Sequence, residues 1–358
     1  MSRLSQSVGM PRVLVVDDSP VELAIIARAL EANGIIVAGT ACNGQEALAL
    51  IPKLNPDVIC TDLHMPVMDG MVLTEQVMAL YPRPVLVLSI STQPYQVHNI
   101  MKILQAGALD VMAKPVLAQG GAESLDAKLL AEKIQILAGV KVIAKKHPSA
   151  LRKPDPDPVD AYVPPPQIIG IGSSTGGPPA LLHIFSNLPK DFAIPILCVQ
   201  HISLGFLEGM VEWLNTISRL NIMVAEAGME PCPGHVYFAP KDQHLIVDKN
   251  RRLALVPADP HEVYAPSINR LFSSLAQVYG NLCAGIVLSG MGNDGAQGIC
   301  DIYCKGGLTI AQDEATSVIF GMPKVAIETG AVREVLPLNW IVPTLLNLHF
   351  KARGGVHV

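Results

Sequence analysis

Ser174 stands in a crowd of small residues, Gly172, Ser173, Thr175, Gly176 and Gly177, with Pro178 and Pro179 behind them. A short apolar run, Ile168-Ile169-Gly170-Ile171, leads in, and Ala180-Leu181-Leu182-His183-Ile184-Phe185 leads out with apolar residues at helical spacing. That reads as a strand, a tight turn and a helix start, with proline in the first helical turn, where no N–H is missed. Such a turn lifts a hydroxyl off the C-terminal end of a parallel sheet and aims free backbone N–H groups at whatever binds there. Two chemistries fit: a phosphate cradle, or a nucleophilic serine with oxyanion donors nearby. The cradle lacks a GxGxxG, a lysine after the glycines and an acid closing the next strand. That strand, Ile194 to Val199, closes on Gln200-His201, and Ala284 to Leu288 runs into Ser289-Gly290-Met291-Gly292-Asn293-Asp294. Ser174, His201 and Asp294 can therefore meet at one sheet edge. A serine hydroxyl is a nucleophile only with a neutral imidazole in reach and a carboxylate to hold that imidazole's tautomer. The glycines around Met291 and Ser174 leave N–H groups uncovered, as an oxyanion hole requires. Taken singly, each residue has a plainer reading: a turn serine, a core histidine, helix caps at Thr175 and Asp294. The order Ser…His…Asp and the lack of a GxSxG elbow separate this set from the α/β-hydrolases.

A second polar set lies in the first third. Asp17 and Asp18 follow Arg12-Val13-Leu14-Val15-Val16; Asp62 closes Asp57 to Thr61; Ser89 closes Pro84 to Leu88; Lys114 closes Leu109 to Ala113. Three carboxylates at one sheet edge repel one another unless a cation lies among them, and oxygen ligands of this kind suit Mg²⁺. With that charge neutralised, one carboxylate could accept a phosphoryl group. Helix-capping acids are the plain alternative for one Asp pair. Five polar residues on the ends of four strands favour the phosphoryl reading.

These residues need elements to hold them. Strand and helix patterns alternate from residue 12 to about 140, with strands at Arg12–Val16, Gly34–Ala38, Asp57–Thr61, Pro84–Leu88 and Leu109–Ala113, and a last helix over about 124–144. Five such units imply a doubly wound parallel sheet. Residues 141–166 carry prolines at 154, 156, 158, 164, 165 and 166, which reads as an extended tether. Alternation resumes over 167–350, with Val236–Pro240, Leu245–Val247 and Leu253–Val256 read as an inserted β-meander. The fold class is α/β: two doubly wound domains, 12–140 and 167–350, the second carrying a β-hairpin insertion. Of 358 residues half are hydrophobic, 16% are charged and the net charge is −5, without a long basic run, which argues against nucleic acid. No apolar stretch is long enough to span a membrane, and the N-terminus lacks a signal-peptide apolar region, so a cytoplasmic protein is expected. Seven cysteines without a CxxC pair fit buried, reduced thiols; Cys300 and Cys304, at i,i+4, are a poor zinc site.

The stretch Val13 to Ser19, the run Asp62-Leu63-His64-Met65-Pro66-Val67-Met68-Asp69-Gly70, Ser89 and Ala113-Lys114-Pro115 resemble a response-regulator receiver domain. The resemblance implies that Asp62 is the phosphoacceptor and that Asp17, Asp18 and Asp62, with the His64 carbonyl, hold Mg²⁺. It implies that Ser89 and Lys114 bind the phosphoryl oxygens, and that the Lys114–Pro115 bond is cis. Two positions depart from the pattern: Ile90 follows Ser89 where receivers carry a small residue, and Val111 stands where they carry an aromatic. Downstream, Ile171 to Gly177, Val199-Gln200-His201, Pro233 to Pro240 with His244 beyond, Leu288 to Gly298 and Ala311 to Pro323 resemble the chemotaxis protein-glutamate methylesterase (CheB) family. That family joins a receiver to this domain through a linker, the order found here. Residue by residue, the resemblance makes Ser174 the nucleophile, His201 the base and then acid, Asp294 the orienter and the Met291 N–H an oxyanion donor, with Thr175 beside it. It implies hydrolysis of glutamate γ-methyl esters on chemoreceptors without a cofactor, deamidation of receptor glutamines, and a chemotaxis histidine kinase as phosphodonor. The receiver is expected to cover the site until Asp62 is phosphorylated. After His201, Ile202-Ser203-Leu204-Gly205 replaces the family's usual prolines. The reading from another class is a phosphorylation-dependent binding protein with an inactive esterase domain; a nucleotide-binding regulator is a third.

Overall fold

The structure, a computed structural model, describes residues 10–89, 102–115, 124–140, 142, 164–203, 205–259 and 262–354. It divides into two compact units, Met1–Pro148 and Ser149–Val358. Ile90, Leu204, most of the helix expected over 93–106 and most of the proline-rich connector lie outside the described residues.

In the first unit, β1 (Arg12–Val16), β2 (Ile36–Ala41), β3 (Val58–Asp62), β4 (Val85–Ser89) and β5 (Asp110–Ala113) pair in parallel in the order β2-β1-β3-β4-β5. Helices α1 (Pro20–Ala32), α2 (Gly44–Leu54), α3 (Gly70–Leu80) and α4 (Leu125–Ala138) connect or close this sheet. Ser19, Asn43, Asp69 and Ser124 cap them with side-chain oxygens, the local chemistry that starts each helix. Strands β1 and β4 are apolar and buried almost throughout, as a sheet covered on both faces requires. Strand β2 lies two to three residues later than the apolar run suggests. The pairing shifts between Val13 and Leu14, so that Ala38 is the extra residue of a bulge and the strand continues through Gly39 and Thr40. The last helix stops at Ala138, short of the expected 144. The Lys114–Pro115 bond is not cis, since the trans form is the default even before proline; Ala265–Pro266 is the cis bond among the described residues.

The second unit is built on β6 (Ile168–Ser173), β7 (Ile196–Gln200), β8 (Asn221–Val224), β9 (His235–Phe238), β12 (Cys283–Val287), β13 (Leu308–Gln312) and β14 (Glu334–Leu336). All seven are parallel, in the order β14-β13-β12-β6-β7-β9-β8. Among the described residues, β10 (Gln243–Val247) and β11 (Leu253–Pro257) form an antiparallel hairpin. The expected meander is thus one strand shorter: β9 belongs to the main sheet because Val236, Tyr237 and Phe238 are all buried, where an alternating strand would expose one face. Around the sheet lie α5 (Gly177–Ser186), α6 (Leu207–Ile217), α7 (Ile268–Tyr279), α8 (Ala296–Cys304), α9 (Met322–Glu328) and α10 (Leu338–Ala352). Helix α7 packs close because two glycines admit Phe272. A Cβ on Gly170 or Gly298 would stand 2.8 or 2.5 Å from its ring or its Cβ. Cys60, Cys198 and Cys283 are buried as expected, but Cys42, Cys232 and Cys304 are exposed, since they lie past the ends of strands or on the outer face of α8.

Candidate active site

Strand order reverses between β6 and β12, and such a switch point opens a crevice at the C-terminal strand ends. Ser174 follows β6, His201 follows β7, and Asp294 ends the loop after β12, so the fold brings the three residues to this one crevice. Gln200 ties the first two positions together. Its amide NH₂ donates to the Ser174 carbonyl at 2.8 Å and the His201 carbonyl at 2.9 Å, and its oxygen accepts from the Ser173 hydroxyl at 2.6 Å. From the other side, the Ser174 N–H donates to the Ser289 carbonyl at 3.0 Å, and the Ser289 hydroxyl donates to the Thr175 carbonyl at 2.8 Å. Gly176 turns the chain into α5 at φ +78, a conformation that favours glycine.

Asp294 is wholly buried. Its Oδ2 lies 3.0 Å from His201 Nε2 and accepts the Ile268 N–H at 2.7 Å. Its Oδ1 accepts from the Ser267 hydroxyl and from the Asn269 and Gly295 N–H groups at 2.9–3.0 Å. The carboxylate therefore sits at the start of α7, where unpaired N–H groups and the helix dipole favour negative charge. Burial works to raise its pKa, but His201 and the backbone donors outweigh it and hold the carboxyl below the usual range. Because Nε2 is taken by Asp294, Nδ1 is the ring nitrogen open to a nucleophile's proton. No hydrogen bond joins the Ser174 hydroxyl to His201 among the described residues; in a site without substrate such contacts are commonly long. The Met291 N–H donates to no protein acceptor among the described residues, which leaves it available to an oxyanion. Thr175, also buried, adjoins Ser174.

In the first unit Asp17, Asp18 and Asp62 offer carboxylate oxygens within 4.8 Å of one another. Lys114 Nζ lies 2.5 Å from Asp17 and 3.3 Å from Asp62. Burial pushes the Asp62 carboxyl up although Lys114 and the Leu63 N–H pull it down, and the Asp17 charge adds to the rise. Burial also disfavours the Lys114 ammonium, yet the bond to Asp17 and the charges of Asp62 and Asp17 hold its pKa above the usual value. One ammonium facing three carboxylates leaves excess negative charge among hard oxygen donors, a set that fits a small dication. Ser89 is buried at the end of β4, and the Lys114 N–H donates to its carbonyl at 3.1 Å. His64 is exposed, two residues past Asp62, and its side chain stands apart from the carboxylate cluster. Val111 is buried in β5.

Sequence reasoning missed Gln200, Ser289, Ser267 and Tyr264. The first two were findable, being polar residues at the ends of buried strands. Ser267 carries an N-cap signal only, and Tyr264 carries none.

A phosphoacceptor-type acid cluster on one doubly wound unit and a serine, histidine and aspartate set on the other fit a receiver joined to a parallel α/β domain with hydrolytic side chains. Residues 13–125 match the response regulator receiver domain and residues 169–345 the CheB methylesterase domain. The protein-glutamate methylesterase/protein-glutamine glutaminase 3 of Hahella chejuensis is 40% identical over 331 residues, 90% of this chain and 94% of that one. The corresponding Nitrosospira multiformis protein is 39% identical over 344 residues, 95% of this chain and 97% of that one. The crystal structure of the Thermotoga maritima CheB methylesterase catalytic domain, 38% identical, covers 51% of this chain and 98% of its own, with a TM-score of 0.49. The chain belongs to the CheB family of protein-glutamate methylesterases and protein-glutamine glutaminases, with the receiver domain included.

Proposed function

We propose that this protein hydrolyses glutamate γ-methyl esters of methyl-accepting chemoreceptors, releasing methanol, and deamidates receptor glutamines at the same site. The nucleophile is the Ser174 hydroxyl or a water held by His201. It attacks the side-chain carbonyl as its proton passes to His201 Nδ1, and Asp294 stabilises the imidazolium. The Met291 N–H, with Thr175 beside it, receives the oxyanion. Collapse expels methanol, or ammonia from glutamine, with the proton returned by His201; where Ser174 attacked, water then frees the acyl group by the same route. The observation that carries this reading is the wholly buried Asp294, held as a carboxylate by the start of α7 and facing His201 across 3.0 Å. Ester hydrolysis needs no cofactor in this scheme.

The receiver is the switch. Asp17, Asp18 and Asp62, with the His64 carbonyl, would hold Mg²⁺, which supplies the positive charge that phosphoryl transfer requires. Asp62 takes a phosphoryl group from a chemotaxis histidine kinase, and Ser89 and Lys114 bind its oxygens. The cytoplasmic setting belongs to the same proposal; among the described residues no helix is long and apolar enough to cross a membrane.

Methanol release from methylated chemoreceptor fragments tests the chemistry. Ser174→Ala is expected to lower kcat by about 10³-fold or more. A binding protein with a dead esterase domain would release no methanol in either form.

A further inference from the structure

His244 lies in β10, wholly buried, and none of its hydrogen bonds reaches Ser174, His201 or Asp294. Both ring nitrogens are engaged. Nδ1 accepts the Ser267 N–H at 3.1 Å, which puts the ring hydrogen on Nε2, and Nε2 donates to Glu262 Oε2 at 2.5 Å. The neutral ring thus joins the two ends of segment 262–267. At one end Glu262 is held further by the Arg270 guanidinium and by the Asp259 N–H at 3.2 Å. At the other, the Ser267 hydroxyl donates to Asp294 Oδ1 at 3.0 Å. Between them the Tyr264 ring lies flat on His201, with centroids 5.2 Å apart and planes 8° from parallel, and its hydroxyl donates to Asn293 Oδ1 at 3.2 Å.

A buried polar ring adds little stability over a well-packed apolar one, but its directional bonds fix the groups around it. We infer that His244 is a positioning residue of the triad, bracing segment 262–267 so that the Ser267 hydroxyl meets Asp294 and the Tyr264 ring lies against His201. It acts through those two residues and not on the reacting atoms. The Ser267 hydroxyl draws Asp294 charge toward Oδ1, away from the oxygen that faces His201. Removing it leaves more charge on the oxygen that faces the imidazole. The Tyr264 ring covers one face of the imidazole and limits its rotation.

This inference rests on the esterase reading, and its test separates the two. In the full-length protein, the His201 ring-proton resonance is followed by NMR, alongside thermal unfolding and methanol release. Ser267→Ala is expected to shift that resonance, because the hydrogen bonding of Asp294 changes. His244→Leu is expected to lower kcat about 10²-fold with KM little changed. His244→Gln, whose amide offers an acceptor for the Ser267 N–H and a donor for Glu262, should recover most of that loss. An unshifted His201 resonance in Ser267→Ala overturns the inference, as does wild-type kcat in His244→Leu. Equal kcat losses in the Leu and Gln variants, tracking lost thermal stability, would make His244 a core residue only. Should His244→Leu fail to fold, Glu262→Ala, which removes the other end of the brace, decides: an unchanged His201 resonance with wild-type kcat overturns the inference. The NMR measurement needs no substrate, so a wild type that releases no methanol would defeat the esterase reading and leave the positioning still decided.

Discussion

Gly290 sets how closely the loop after β12 passes Ser174, the proposed nucleophile. A Cβ there would lie 2.8 Å from Ser174 Cβ and 2.4 Å from Met322 Sδ, so any side chain must displace one of them. Gly290→Ala is expected to lower kcat about 10²-fold while the protein stays folded, because a misplacement near one ångström costs that much. Steady-state kinetics check it, and a wild-type kcat would show that Met322 yields alone. At this scale the sequence was legible wherever a polar residue follows a buried apolar run: Ser174, His201, Asp294, Asp62 and Lys114 could all be picked out. It was less legible where the partner comes from a distant segment. Asp294 suggested a cap for the helix beginning near Gly295, and does bond the Gly295 N–H, but it also accepts the first N–H groups of α7. Tyr264 reaches His201 through the fold alone, and no local pattern announces it.

Elements carry a second set of consequences. The segment entering α7 is pinned by Glu262, whose hydrogen bonds from Arg270 first and His244 second hold its pKa at about 2, down from 4.5. The unfolded chain therefore takes up a proton on this residue before the folded one does. Its stabilising effect is complete above about pH 4.5 and is lost as the pH falls toward about 2. Glu262→Gln should accordingly flatten the fall of the thermal midpoint across that window relative to wild type. Thermal scans at a series of pH values measure the difference, and parallel curves would refute it. The long buried strands and capped helices were readable from apolar runs and N-cap residues. The short edge strands were not: β8 and β14 hold only four and three residues, too few for a period to show. Membership of β9 in the main sheet depends on burial of both its faces, which comes from neighbouring elements.

At the scale of the whole molecule, the proposed switch requires the receiver to control the esterase. A small phosphodonor is expected to raise methanol release several-fold in the wild type and to have no effect in Asp62→Asn. Equal stimulation of both would place the modification elsewhere; no stimulation of either would mean a receiver that no longer governs catalysis. The two-unit plan followed from the alternation of strand and helix patterns on either side of a proline-rich stretch. Coupling between units is a property of energies that no periodicity encodes. The catalytic sheet has a further consequence for how the protein comes into being. Strand β6 pairs with β12, and the Ser174 N–H donates to the Ser289 carbonyl, so the seat of Ser174 is finished by chain made long after it. A nascent polypeptide that has not yet reached residue 291 carries Ser174 and His201 but neither Asp294 nor the Met291 N–H. On the proposed mechanism such a fragment has no complete site, so hydrolysis waits until Asp294 has been made and has joined the start of α7.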